Sequence, residues 1–263
     1  MTKNKFLRKQ FLLNFFRKSG CFLSSGNFCC VCGKESINEP VCKSCKELKF
    51  KVSEIDDSLC SVCGKRLISE KKICMQCREN VLLSHLDGVY PVLSYRLWNT
   101  NLLCRWKLEG ERQISYFFSK LLNERLKQLY SKAGHFFIVP VPPRPGKIKE
   151  NGWDQVQELS EFLEFKYEYD VERIMERRTS VQQKTLDRNE RLETIGKSYF
   201  VKKGVKKIPE IVCLIDDVMT TGATLESCAE KLKEAGAKKS VCCNTFFCRQ
   251  IVLIAKIQFS VYS

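Results

Sequence analysis

Four cysteine pairs of the form Cys-x-x-Cys, crowded between Cys29 and Cys77, restrict what this chain can fold into more than any other feature. Nine of its 16 cysteines lie in that window. The block holds an internal repeat. Cys29-Cys30-Val31-Cys32-Gly33-Lys34 recurs as Cys60-Ser61-Val62-Cys63-Gly64-Lys65. Each copy is followed by a second pair, Cys42 with Cys45 and then Cys74 with Cys77. Two intervening residues let both thiolates turn toward one tetrahedral ion, with Zn–S bonds of about 2.3 Å. Gly33 and Gly64 suit the left-handed turn that aims backbone N–H groups at sulfur. Nearest-neighbour closure assigns Cys29, Cys32, Cys42 and Cys45 to one zinc, and Cys60, Cys63, Cys74 and Cys77 to another. A cross-braced pairing is the alternative that the spacing leaves open. Cys30, inside a pair, is not read as a ligand.

A disulfide framework would require export. The first twenty residues interleave six basic residues (Lys3, Lys5, Arg8, Lys9, Arg17, Lys18) with apolar ones. Arg17 and Lys18 interrupt any apolar run of the length a signal peptide needs, so export is not expected. Residues 1–24 read as a basic amphipathic helix, packed on the protein or touching a membrane or nucleic acid. No run of about 18 apolar residues exists, so no transmembrane helix is expected, and the protein is expected in the cytoplasm. A redox Cys-x-x-Cys would not come four times in tandem. The zinc ions are therefore read as structural, held in coordinatively closed sites that supply much of the local folding energy. Cys21, Cys104, Cys213, Cys228, Cys242, Cys243 and Cys248 read as core thiols.

From about residue 81 the pattern changes to alternating strands and helices, which predicts an α/β fold with a mostly parallel sheet. Val89, Val92, Leu93 and Tyr95 read as strand. Ile114, Phe117, Phe118, Leu121 and Leu122 mark an amphipathic helix. Phe136 to Val139 is a buried strand ending in Pro140-Val141-Pro142-Pro143-Arg144-Pro145-Gly146-Lys147, which cannot be regular structure. A helix with Val156, Leu159, Phe162 and Leu163 inward follows. Residues 176–194 are polar without periodicity. Ile211 to Ile215 is another buried strand. A helix with Leu225, Cys228, Ala229 and Leu232 on one face ends near Gly236, and Val241 to Phe247 is the next strand.

The segment between that strand and helix carries the chemistry. Ile215 leads into Asp216-Asp217-Val218-Met219-Thr220-Thr221-Gly222-Ala223-Thr224. A helix N-terminus offers unpaired N–H groups and the positive end of a dipole, and so binds phosphate. The threonines add hydroxyl donors, and Gly222 permits close approach. Carboxylates repel phosphate, so Asp216 and Asp217 must address something else. Vicinal ribose hydroxyls one step from a 5′-phosphate satisfy both facts.

These residues resemble the phosphoribosyl pyrophosphate (PRPP) signature of type I phosphoribosyltransferases. More narrowly, the chain resembles the ComF/GntX group of competence-protein-like phosphoribosyltransferases. The supporting residues are the double zinc segment, Lys107-Leu108-Glu109-Gly110-Glu111-Arg112, Val139 to Pro142 with Asn151-Gly152-Trp153-Asp154-Gln155, and Arg178-Thr179 with Gln183, Leu186 and Arg191. The chain departs from the group's usual pattern at Arg144 to Lys147, at Trp153-Asp154-Gln155 and at Thr194. The resemblance implies a type I phosphoribosyltransferase fold over residues 81–250. A small Cys-rich zinc domain over 25–80 precedes it, and an extension over 251–263, read as an extra strand, follows.

The resemblance also implies roles. Thr220, Thr221, Gly222, Ala223 and Thr224 would cradle the 5′-phosphate, and Asp216 and Asp217 would hold the ribose hydroxyls. Arg144 and Lys147 would face the pyrophosphate with Mg²⁺. Residues 178–191 would form a flap bringing Arg178, Gln183, Arg188 and Arg191 to the leaving group. His85 and His135 read as structural. Two functions are expected: phosphoribosyl transfer to an unknown acceptor, or a PRPP-binding competence module with little or no catalysis. Members of the group are tied to DNA uptake, with single-stranded DNA and a helicase as associates. Lys and Arg outnumber Asp and Glu by 45 to 30, a net charge of +15 that suits such a partner. Arg66, Lys71, Lys72 and Arg78 lie near the ligands.

Overall fold

The computed structural model describes residues 28–37, 39–52, 54–55, 58–79, 83–94, 97–178 and 198–247. The expected N-terminal helix, the flap residues Gln183, Arg188 and Arg191, and the C-terminal extension lie outside them. The described residues form two compact units. One takes the chain up to Lys51 together with Leu97–Phe117. The other takes Val52–Arg96 and the chain from Phe118 on.

The first unit contains the first cysteine quartet, helix α1 (Lys43–Lys49) and helix α3 (Leu97–Lys107). Cys45 on α1 is buried, so the helix carries one ligand inward. α3 was not expected from its mixed sequence. Leu102, Leu103 and Trp106 bury one stripe of it. The unit has an apolar centre of its own. Phe50 and Phe117 meet edge to face at 5.1 Å, and the Trp106 indole donates to Ser115 Oγ at 2.7 Å, so a fully buried N–H is satisfied.

The second unit is built on a parallel sheet. Strands β1 (Gly88–Val89) and β2 (Leu93–Ser94) both pair with β7 (Lys239–Phe247), which pairs with β6 (Ile211–Met219), which pairs with β3 (Phe137–Pro140). β1 and β2 keep one register against β7: Val89 opposes Cys242 and Leu93 opposes Phe246. The amides of Tyr90 and Val92 donate to Cys242 and Asn244 between them. Pro91, between them, turns its nitrogen away from β7 on an edge strand, where a missing N–H costs no ladder bond. Val212, Cys213, Leu214 and Ile215 are all fully buried, which is why β6 reads as an unbroken apolar run.

Helices flank the sheet. α4 (Gln113–Ala133) buries Phe118, Leu121, Leu122, Leu126 and Leu129 at helical spacing within this unit. α6 (Gln155–Lys166) contacts β3 and β6, and α7 (Ala223–Glu234) contacts β6 and β7. Between β3 and α6 lies the short helix α5 (Lys147–Asn151). The second cysteine quartet, with helix α2 (Met75–Glu79), shares a hydrophobic cluster with Val139, Leu214, Met219, Leu225 and Cys228. The fold is α/β, a mostly parallel sheet flanked by helices, with a Cys-rich N-terminal region.

The polar stretch that showed no periodicity begins in a strand. β4 (Met175–Arg177) pairs antiparallel with β5 (Tyr199–Val201), and the Arg178 amide donates to Ser198 O at 3.1 Å. The two ends of the 178–198 segment are thus held together. No described helix is long and apolar enough to cross a membrane.

Candidate functional site

The thiols gather as two nearest-neighbour quartets: Cys29, Cys32, Cys42 and Cys45, then Cys60, Cys63, Cys74 and Cys77. All sulfurs within a quartet lie within 4.8 Å of one another, so the pairing is not cross-braced. Cys32 and Cys42 sulfurs stand 3.7 Å apart, and those of Cys63 and Cys74 stand 3.8 Å apart. A tetrahedron with Zn–S bonds of about 2.3 Å has edges of about 3.8 Å. Backbone amides of Val31 and Cys42 donate to Cys29 Sγ, and the Cys74 amide donates to Cys60 Sγ.

Burial opposes ionisation of Cys29 and Cys60, but these backbone donors outweigh it and draw both thiols down to about 7. Cys45 is instead pushed up to about 12 by burial and by its neighbouring thiols. Four sulfurs converging at this spacing can hold one metal ion, and both sets fit structural zinc. Cys30 is no ligand. Burial raises its thiol to about 11, and its sulfur lies 3.7 Å from Glu111 Oε2.

Gly33 and Gly64 hold φ of 71° and 69°. A Cβ on Gly33 would meet nothing within 4 Å, whereas one on Gly64 would lie 2.3 Å from Val89 O and 2.4 Å from Pro91 Cδ. Gly33→Ala is therefore expected to cost about 1 kcal/mol of backbone strain. Gly64→Ala adds a clash and is expected to cost at least about 3 kcal/mol in total. Urea unfolding of the two variants measures this, and equal losses would contradict the packing.

The carboxylate pair and the threonine turn occupy the C-terminal end of β6, beside the C-terminal end of β3. Pro140 opposes Ile215 in register, and the Val141 amide donates to Ile215 O at 3.0 Å. The 140–147 loop and the 216–224 turn thus leave the same edge of the sheet, where parallel α/β folds place their ligands. Asp216 opposes Asn244 of β7, which is fully buried. Asp216 Oδ1 accepts from the Asp217 amide at 2.8 Å, and Asp217 Oδ1 accepts from Val218 at 2.6 Å. Gly222 stands at the N-cap of α7 with φ 84°. A Cβ there would sit 2.7 Å from Leu83 Cδ2 and 2.9 Å from Met219 Cε, so the turn requires glycine twice over.

The cations expected at the loop are already engaged. Arg144 is bidentate to Glu150, with Nη1 2.9 Å from Oε1. Lys147 Nζ donates to Asp154 Oδ2 at 2.6 Å and to Gln155 Oε1 at 2.7 Å. Asp154 is buried and caps α6 through the Gln157 amide. Arg178 pairs with Glu176 at 2.8 Å and lies 4.3 Å from the Phe200 ring centroid. His85 pairs with Glu226 and His135 with Asp170, the structural use expected of both.

Two residues near the turn were missed in the sequence. Tyr199 is buried, hydrogen-bonds Thr224, and feels the charges of Arg177 and Asp216. Burial is the main reason its hydroxyl is pushed up to about 12. Arg177 lies 5.5 Å from the Tyr199 ring centroid, and its buried Nε has no hydrogen-bond partner among the described residues. Strand alternation turns Arg177 and Arg178 to opposite faces. The family resemblance singles out Arg178; on the other face, Arg177 and Asp216 both bear on the Tyr199 hydroxyl. Only the pairing of β4 with β5 makes that distinction.

Comparison with protein-family models finds none that matches. Two curated proteins are similar to the chain. A competence protein ComFC of Streptococcus pneumoniae is 32% identical over 196 residues, which covers 74% of this chain and 83% of that protein. The ComFC of Bacillus subtilis is 30% identical over 211 residues, or 78% and 82% of the two chains. The chain belongs to the ComFC family. The ComFC match agrees with the group that the zinc repeat and the 211–224 segment resemble, and it spans most of both relatives.

Proposed function

We propose that the protein binds PRPP with Mg²⁺ at the end of β6 and transfers its phosphoribosyl group to an acceptor, releasing pyrophosphate, in the context of DNA uptake. The observation that carries this reading is β6, which bears Asp216 and Asp217 near its C-terminal end, runs on to Met219, and turns through Thr220, Thr221 and a left-handed Gly222 into α7. The amides and hydroxyls of residues 220–224 hold the 5′-phosphate. The two carboxylates accept hydrogen bonds from the ribose diol. The reaction displaces pyrophosphate from C1 through an oxocarbenium-like state, so negative charge develops on the leaving group. Mg²⁺, when bound, offsets that charge as a Lewis acid. Arg144 is the loop cation free to turn. It leaves Glu150, an exposed pair of the kind readily exchanged, whereas Lys147 stays on the buried cap of α6. Arg177 and Arg178 are further candidate cations among the described residues, and the family resemblance adds Arg191. The flap's role is to exclude water that would hydrolyse the donor.

A second reading is a PRPP-binding, single-stranded-DNA-associated module with little catalysis. It is favoured by the pairing of Arg144, Lys147 and Arg178 with their own acids, by the net charge of +15 and by relatives named for competence. PRPP-dependent pyrophosphate release, assayed across nucleobases and other nitrogen acceptors, tests the enzyme. Catalytic turnover with one acceptor supports transfer, and none with any acceptor, despite PRPP binding, supports the module. Under the second reading, affinity for single-stranded DNA falls linearly in log–log form with salt. Binding that does not respond to salt would contradict it.

A further inference from the structure

Residues 83–89 run alongside α7 and are fastened to it at three levels. At its N-terminus, Leu83 packs where a side chain on Gly222 would stand. One turn on, Glu226 Oε1 accepts from the amides of Ser84 and His85 at 2.7 and 2.8 Å and from Ser84 Oγ at 2.8 Å; His85 Nδ1 is also 2.8 Å away. At the far end, Lys233 donates to Asp87, whose other oxygen accepts from the Ser240 amide at 2.7 Å. The same segment is fastened to the second cysteine quartet. Gly64 lies so close to Val89 and Pro91 that no Cβ fits between them. Cys60, Cys63, Cys74 and Cys77 share one buried cluster with Leu83, Leu86, Val89, Met219 and Leu225.

We propose that residues 83–89 form a strap that couples the second Cys₄ site to the phosphate-binding turn, with Glu226 as its positioning residue. An acid in the first turn of such a helix is otherwise adverse to phosphate. Here Glu226 serves the strap. Its Oε1 collects the donors, while Oε2 is buried without a hydrogen-bond partner among the described residues. Metal at the second site holds the Cys60–Cys77 loop, the loop holds β1, and the strap fixes Gly222 and the first turn of α7. The first quartet has no share in this cluster. The inference rests on reading the 216–224 turn as the sugar-phosphate site, but its test does not.

The test uses the zinc-loaded, full-length protein, with hydrogen exchange followed by mass spectrometry and zinc release followed with a chromophoric chelator. Glu226→Ala is expected to speed exchange of both 83–89 and 220–226 by about tenfold or more, as for loss of charge-assisted hydrogen bonds. It is expected to speed zinc release from the fully buried second quartet, the slower phase, and to leave residues 29–45 and the faster phase, from the first quartet with its exposed Cys32, unchanged. Glu226→Gln, which keeps an acceptor but removes the charge, is expected to fall between. If Glu226→Ala does not fold, Glu226→Gln and Ser84→Ala carry the same readouts. Wild-type exchange at 220–226 with an unchanged slow phase would overturn the strap. Neither readout involves PRPP, so failure of wild-type protein to bind PRPP would sink the proposed function and leave the strap standing.

Discussion

Replacing Asp216 and Asp217 together by asparagine is expected to remove PRPP binding while leaving the fold intact. The fold is spared because the bonds these side chains make to the backbone are accepted by Oδ1: from Asp217 N in one case and from Val218 N in the other. An asparagine Oδ1 accepts both. Binding suffers because a diol donates far more strongly to an anion than to an amide. Hydrogen bonds to charged groups contribute about 1.5–3 kcal/mol each. Losing the charge of two acceptors should therefore weaken PRPP by a factor on the order of 100 or more. Calorimetric titration in Mg²⁺ measures the affinity, and circular dichroism checks the fold. Wild-type affinity in the double variant would contradict the assignment.

The second large effect concerns the metals. Purified protein is expected to carry about two zinc per chain. The two sites differ in their surroundings. Cys60, Cys63, Cys74 and Cys77 are all buried, inside the cluster that backs the sheet. In the first quartet Cys32 is exposed and Cys42 half-buried. Structural zinc binding is worth about 10–16 kcal/mol in small zinc domains, and whole domains are stable by only about 5–15 kcal/mol. Cys74→Ser with Cys77→Ser should thus abolish the cooperative thermal transition of the sheet. Cys32→Ser with Cys42→Ser should lose about one zinc per chain and keep that transition. Elemental analysis and thermal melts decide, and an unchanged melt in the Cys74/Cys77 variant would refute the structural role.

The zinc ligands were legible because Cys-x-x-Cys is a local signal: two residues of spacing fix which thiols face one ion. Their partnering was not, since either closure satisfies the spacing, and only the sulfur positions separate them. The apolar runs at Phe136–Val139 and Ile211–Ile215 announced buried parallel strands, and the acids and threonines after the second announced the turn. α3 was missed because Asn99, Thr100 and Asn101 dilute its helical pattern, so packing of Leu102, Leu103 and Trp106 decides it. β4 was missed because Glu176 and Arg177 look like loop until β5 arrives to pair with them. Tyr199 gains its place near Asp216, and Arg177 its place against the Tyr199 ring, only through that pairing. Arg144 and Lys147 were legible as cations, but their engagement by Glu150 and Asp154 depends on the short turn of α5. The difference is sequence distance, because side chains brought in from another strand leave no periodic trace.

The most direct measurement is a crystal structure of the protein grown with PRPP and Mg²⁺. The account predicts the 5′-phosphate on the amides of residues 221–224 and the ribose diol against Asp216 and Asp217, with Arg144 turned away from Glu150. Full-occupancy PRPP bound elsewhere, or a turn left empty at saturating PRPP, would contradict it.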